Sequence, residues 1–150
     1  MDNFTISPIP ELIFGAGTIN GLINIITAKD YNDIAVITGG RSLINSIYWK
    51  NLSDSFIAEG INFFHFKSTG ETSPETVDEI VSNLKNTNID AVIALGGGTV
   101  MDTGKAVSAM LCMDGSIVDY LEGIGTKEPT GKRKPLICAP TTSGTGSEAT

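Results

Sequence analysis

The sequence predicts a doubly wound α/β domain built on a parallel sheet, and three observations carry that prediction. Short apolar, β-rich runs alternate with longer stretches of helical periodicity, the mark of consecutive strand, turn, helix units. Three of the apolar runs stop at glycine-rich turns: Thr38-Gly39-Gly40-Arg41-Ser42, Gly96-Gly97-Gly98-Thr99 and Thr141-Thr142-Ser143-Gly144-Thr145-Gly146-Ser147. The chain of 150 residues is 41% hydrophobic and 18% charged, an ordinary folded composition that at this length buries roughly 70% of the surface of the unfolded chain.

Taken in order, Thr5 to Ile9 and Glu11 to Phe14 have strand character. Ile19 to Ala28 places Ile19, Leu22, Ile23 and Ile26 three and four residues apart, so one helix face is apolar. Ile34 to Thr38 reads as a buried strand ending at Gly39-Gly40, Leu43 to Glu59 as a helix stopped by Gly60, and Ile61 to Phe66 as the next strand. Ser73-Pro74 opens a helix, because the serine accepts from free amides and a first-turn proline gives up no needed donor. Val77, Ile80, Val81 and Leu84 then lie on one stripe. Asp90 to Leu95 is a short buried strand, Thr99 to Leu111 a helix, and Pro135 to Ala139 a further strand.

A formal charge of −7 argues against a nucleic-acid partner, which needs a basic stripe. The basic cluster Lys132-Arg133-Lys134, after Lys127, reads as a solvated loop before a strand. The longest apolar run, Ala91 to Leu95, is far short of the ~20 residues that span a bilayer, and Met1-Asp2-Asn3 lacks the basic start of a signal peptide, so a cytoplasmic protein without a membrane partner is expected. Cys112 and Cys138 lack CxxC spacing and read as buried free thiols. The single histidine, His65, reads as a strand residue.

Glycine-rich turns at strand ends let a phosphate approach the backbone, and the following helix offers unpaired N–H groups and the positive end of its dipole. Hydroxyl residues add neutral donors, which suits a nucleotide on an acidic protein. Established fingerprints fit poorly. Gly96 and Gly98 satisfy two positions of G-x-G-x-x-G but Met101 stands at the third, and a P-loop would need glycine where Thr99 stands and a hydroxyl where Ala106 follows Lys105. Gly144-x-Gly146-x-x-Ala149 fits only the relaxed pattern. Spacing alone therefore supports a phosphate-binding α/β domain. Structural readings stay open beside it: Thr99 and Asp102 have the spacing of a helix cap and its partner, Gly104 that of a close helix-to-sheet contact, and Gly39-Gly40 that of a tight turn.

Ile13-Phe14-Gly15-Ala16-Gly17, Ala94 through Ala106 (Ala-Leu-Gly-Gly-Gly-Thr-Val-Met-Asp-Thr-Gly-Lys-Ala) and Ala139 through Glu148 (Ala-Pro-Thr-Thr-Ser-Gly-Thr-Gly-Ser-Glu) strongly resemble the iron-containing alcohol dehydrogenase family across essentially the whole chain. The resemblance implies a Rossmann-like domain and NAD(P)-dependent oxidation of alcohols or reduction of aldehydes and ketones, with a divalent metal polarising the substrate oxygen. It implies that Gly96, Gly97, Gly98 and Thr99 hold the pyrophosphate, that Thr141, Thr142, Thr145 and Ser147 line the adenine and nicotinamide side, and that Asp102 lies near the nicotinamide with Lys105 bracing the turn. Gly39, Gly40 and Ser42 resemble the run of members that accept NADP, where NAD-selecting members carry an aspartate at the position of Gly39. Gly70-Glu71-Thr72-Ser73-Pro74 departs from the family's Pro-Asn-Pro, which leaves a ribose contact from Glu71 unsupported.

Family members are about twice this length or more, and their metal ligands, an aspartate and several histidines, follow the last motif, mostly in an all-helical second domain. The resemblance thus implies that residues 1–150 are a nucleotide-binding domain without catalytic or metal-binding residues, inactive alone. Fe2+ or Zn2+, a small alcohol or aldehyde and a homo-oligomeric assembly then belong to the longer parent enzyme. A glycerol dehydrogenase-like polyol enzyme and a non-catalytic nucleotide-binding module are the alternatives.

Overall fold

Every residue of Ala91–Gly96 is buried, as is every residue of Asp33–Thr38 after the first. Runs apolar on both faces belong at the centre of a sheet covered on both sides, and the computed structural model, which describes residues 10–144 and 146–148, places them there. Strands β1 (Asp33–Thr38), β2 (Asn62–Lys67), β3 (Ala91–Gly96) and β4 (Leu136–Pro140) form a parallel sheet in the order β2-β1-β3-β4. The half-exposed β2 and β4 are the edges.

Alternate side chains of the central strands feed two cores. Ile34, Val36, Ala91, Ile93 and Leu95 pack with Leu22 and Ile26 of α1 (Leu22–Ala28) and with Leu52 and Phe56 of α2 (Ile47–Ala58). On the other face Ala35, Ile37, Val92 and Ala94 meet Val77, Ile80 and Leu84 of α3 (Pro74–Leu84) and Val100, Met101, Val107 and Met110 of α4 (Gly98–Met110). The chain leaves β1 for the outer strand on one side and leaves β3 for the outer strand on the other. The carboxyl ends of β1 and β3 therefore flank the topological switch point, where such sheets open a crevice.

Serine caps explain where α2 and α3 begin. Ser73 Oγ accepts from Thr76 N at 3.3 Å with Pro74 as the first helical residue, as the sequence predicts. The helix expected from Leu43 starts instead at Ile47, because Ser46 Oγ accepts from Trp49 N and donates to Leu43 O at 2.6 Å, which turns residues 43–46 into a cap. The start of the first predicted helix is tightened into a 3-10 turn, Thr18–Gly21. A second short turn, Ile117–Tyr120, is pinned through Ile117 N to Asp78 Oδ1.

Other expectations are corrected. Glu11 to Phe14 is not a strand: Leu12 and Phe14 are 81% and 93% exposed, with neither a ladder partner nor a covered face among the described residues. The strand expected at Thr5 to Ile9 lies outside the described residues. Cys112 and Cys138 are free but only partly buried, and burial raises the Cys138 thiol above its ordinary value. Lys132 and Arg133 are exposed, as a solvated loop requires. No helix among the described residues is long and apolar enough to cross a membrane.

Candidate functional site

Helix α4 begins within one residue of the end of β3. Its cap residue is Gly97, in extended backbone, and no side chain caps it. The carbonyl of Gly97 accepts from Val100 N at 3.0 Å and from Met101 N at 3.1 Å, and the Gly98 and Thr99 amides, which precede the first helical bonds, receive no side-chain cap among the described residues. Bare first-turn amides and the dipole of a 13-residue helix thus face the crevice beyond the sheet, an arrangement whose chemistry fits an anion. Thr99 is therefore not the helix cap that its spacing with Asp102 suggested. Asp102 instead is exposed and lies 3.3 Å from Lys105 Nζ, a pairing worth little in water.

The two glycine turns flank Val100. A Cβ on Gly96 would stand 2.5 Å from Val100 Cγ2, whereas a Cβ on Gly39 would stand 3.7 Å from the same atom. Thr38 pairs with Leu95 in the sheet register, which sets the turns side by side. The third turn joins them: Thr141 N donates to Gly96 O at 2.9 Å, and Thr142 Oγ1 would lie 3.3 Å from a Cβ on Gly97. Gly96 through Thr99, Thr141 and Thr142 are thus brought together, with Gly39 across Val100. Gly40 and Ser42 are exposed on the outer part of their turn, Ser147 is buried, and Thr145 lies outside the described residues.

Several supporting residues carry no recognisable motif. Thr72 Oγ1 and Thr103 Oγ1 both donate to Thr99 O, at 3.0 and 2.9 Å, and buried Ser68 Oγ lies 2.8 Å from Thr103 Oγ1. These hydroxyls tie the loop after β2 to the first turn of α4. Of these pairs only Thr99 and Thr103, four residues apart on α4, are local in the chain. Gly104 is a close helix-to-sheet contact, since its Cβ would stand 2.7 Å from Ala94 Cβ. His65 lies in β2, as expected, with Nε2 2.8 Å from Thr38 Oγ1. Burial, and then the charge of Lys67, lowers its pKa.

Among the described residues no three His, Cys, Asp or Glu side chains come together in a group able to hold a metal ion. The described residues by themselves do not fit a metal.

A parallel α/β sheet with helices on both faces and glycine turns at its switch point defines a Rossmann-like domain. Within that class, the family model for iron-containing alcohol dehydrogenase matches residues 10–150, and the chain belongs to that family. It is 42% identical over 76 residues to long-chain-alcohol dehydrogenase 1 of Geobacillus thermodenitrificans, covering 51% of this chain and 19% of that one. The NADH-dependent butanol dehydrogenase A of Thermotoga maritima superposes with a TM-score of 0.85 at 28% identity, over 99% of this chain and 37% of its own. The sulfoacetaldehyde reductase of Bifidobacterium kashiwanohense, solved in complex with NAD+, superposes with a TM-score of 0.78 at 28% identity, over 91% of this chain and 35% of its own. The chain thus spans well under half the length of each.

Proposed function

We propose that residues 1–150 form the dinucleotide-binding domain of a metal-dependent, NAD(P)-linked alcohol dehydrogenase or aldehyde reductase. The observation that carries this reading is the uncapped start of α4 at the switch point, walled by Thr142 and by the Gly39–Gly40 turn. The pyrophosphate lies against the Gly97, Gly98 and Thr99 backbone, where the bare amides and the helix dipole hold its charge without a basic side chain. Thr141, Thr142 and Ser147 take the adenine and nicotinamide side, a role the family resemblance also gives to Thr145, which lies outside the described residues, and Asp102, one turn further along α4, lies toward the nicotinamide. When bound, the dinucleotide supplies the hydride chemistry. The alcohol and aldehyde substrates named for the relatives support a small alcohol or aldehyde here. The metal, the substrate wall and the oligomer contacts come from the longer enzyme, and the domain alone turns over nothing.

The preferred dinucleotide is NADP(H). NAD-selecting sites place a carboxylate at the end of the relevant strand, where it accepts from the ribose 2′-hydroxyl and repels a 2′-phosphate. β1 ends in Thr38-Gly39-Gly40-Arg41-Ser42 without one. Gly40 has open space around it, and Arg41 and Ser42 are exposed beside it, so amide, hydroxyl and guanidinium donors are at hand for the additional phosphate. The test is kcat/KM of the full-length enzyme with both dinucleotides over short alcohols and aldehydes. A preference for NADP(H) is expected; a preference for NAD(H) of about tenfold, ~1.4 kcal/mol, refutes it.

A further inference from the structure

One histidine touches both ends of the turn between β1 and α2. The sheet register pairs Val36 with His65, and the alternation of strand side chains puts Thr38 one diagonal step further on the same face. His65 Nε2 accordingly lies 2.8 Å from Thr38 Oγ1, at the near end of the turn. At the far end the ring of Trp49, in the first turn of α2, packs on the imidazole with centroids 4.6 Å apart and planes tilted by 40°. Thr38 is fully buried, and its hydroxyl also donates to Gly39 O at 3.3 Å.

A hydroxyl has one proton to give. If Thr38 spends it on Gly39 O, the short contact to His65 must be made by an Nε2–H. In the other tautomer Thr38 would donate to the imidazole and release the carbonyl. The Gly39–Gly40 peptide is planar and trans, so holding the carbonyl oxygen toward Thr38 turns the Gly40 N–H the opposite way, away from the sheet end. Two successive glycines would otherwise leave that peptide free to rotate.

We propose that His65 is a positioning residue for the dinucleotide: its Nε2–H, donated to Thr38 Oγ1, directs the threonine proton to Gly39 O and thereby presents the Gly40 amide to the 2′ group of the adenosine ribose. This rests on the reading that the turn receives the adenosine half of a dinucleotide. Trp49 fixes the plane of the imidazole, and the relay substitutes for the carboxylate that β1 lacks.

The test is calorimetric binding of NADPH and NADH to the full-length enzyme, with KM and kcat measured alongside. His65→Phe keeps the ring against Trp49 and removes the donor; Thr38→Val keeps the shape and removes the hydroxyl. Each is expected to weaken NADPH binding about five- to tenfold, the size of one lost hydrogen bond, with kcat within about twofold of wild type because the hydride is transferred at the far end of the cofactor. The double variant should bind within about twofold of either single one, since both cut the same relay. His65→Gln, whose amide nitrogen reaches near the Nε2 position, should restore binding to within about twofold. If His65→Phe fails to fold, Thr38→Val decides. Unchanged NADPH binding in Thr38→Val overturns the relay and leaves the dinucleotide site standing. A wild-type enzyme that binds neither dinucleotide overturns both.

Discussion

The two glycine turns at the switch point are glycine-rich for different reasons. In the turn after β3, Gly96 is buried and a Cβ there would collide with Val100, so glycine is demanded by packing whatever the ligand. The next residue caps α4 directly and leaves the helix start bare. In the turn after β1, a Cβ on Gly39 would find ordinary contact and one on Gly40 would meet nothing within 4 Å. There the following helix begins only at Ile47 and brings its own cap, Ser46. One turn is thus built around a helix N-terminus without a side-chain cap, the place proposed above for the pyrophosphate. The other is an open, variable surface whose glycines make room. The contrast separates a position that makes the fold possible from one able to tune which ligand fits it.

The largest effect is expected from Gly97→Asp in the full-length enzyme. Gly97 has extended backbone that any residue adopts, and the Thr142 side chain, whose hydroxyl would lie 3.3 Å from the new Cβ, has to give by only a few tenths of an ångström; a circular dichroism spectrum and unfolding midpoint close to wild type verify that the variant folds. The new carboxylate meets the pyrophosphate within a few ångströms and should raise the cofactor KM by about 100-fold, ~2.8 kcal/mol. A change within about twofold, ~0.4 kcal/mol, breaks the assignment of this turn to phosphate.

Gly96→Ala tests the packing half of the contrast. Its methyl group has to displace Val100, and overpacking of this kind costs about 1–3 kcal/mol, read as a lower midpoint in denaturant titration. Gly40→Ala, with open space around it, should change stability by less than about 0.5 kcal/mol. Equal losses at the two positions would erase the distinction.

Gly39→Asp should reverse the dinucleotide preference, shifting the ratio of kcat/KM values toward NAD(H) by about tenfold or more, at least ~1.4 kcal/mol, with little change in stability. A variant that keeps the wild-type ratio would remove this turn from cofactor selection. A smaller loss, confined to stability, is expected from Ser46→Ala, which deletes the cap of α2 at a cost of about 1 kcal/mol. Thermal unfolding should register it while kcat stays unchanged, because Ser46 serves α2 as an internal cap and lies outside the proposed cofactor site.

The sequence by itself determined the architecture. Uninterrupted apolar runs over 34–37 and 91–95 marked strands buried on both faces, and Val77, Ile80, Val81 and Leu84 marked a helix on one of them. Alternation of the two periods then left a parallel sheet as the consistent arrangement. The motifs at 94–106 and 139–148 also carried the family, because close backbone approaches restrict residue choice locally and leave a trace in the chain. Where Leu43 gave way to Ile47 as a helix start, the deciding bond was a serine cap, which competes with other hydroxyls over a few residues and leaves a weak local signal. Only the tertiary structure decided what joins the turns. Val100 against Gly39, Thr72 and Ser68 tied to α4, and His65 against Thr38 are contacts across 27 to 61 residues of chain. Such contacts depend on strand order and register, and neither periodicity nor spacing encodes which strands become neighbours.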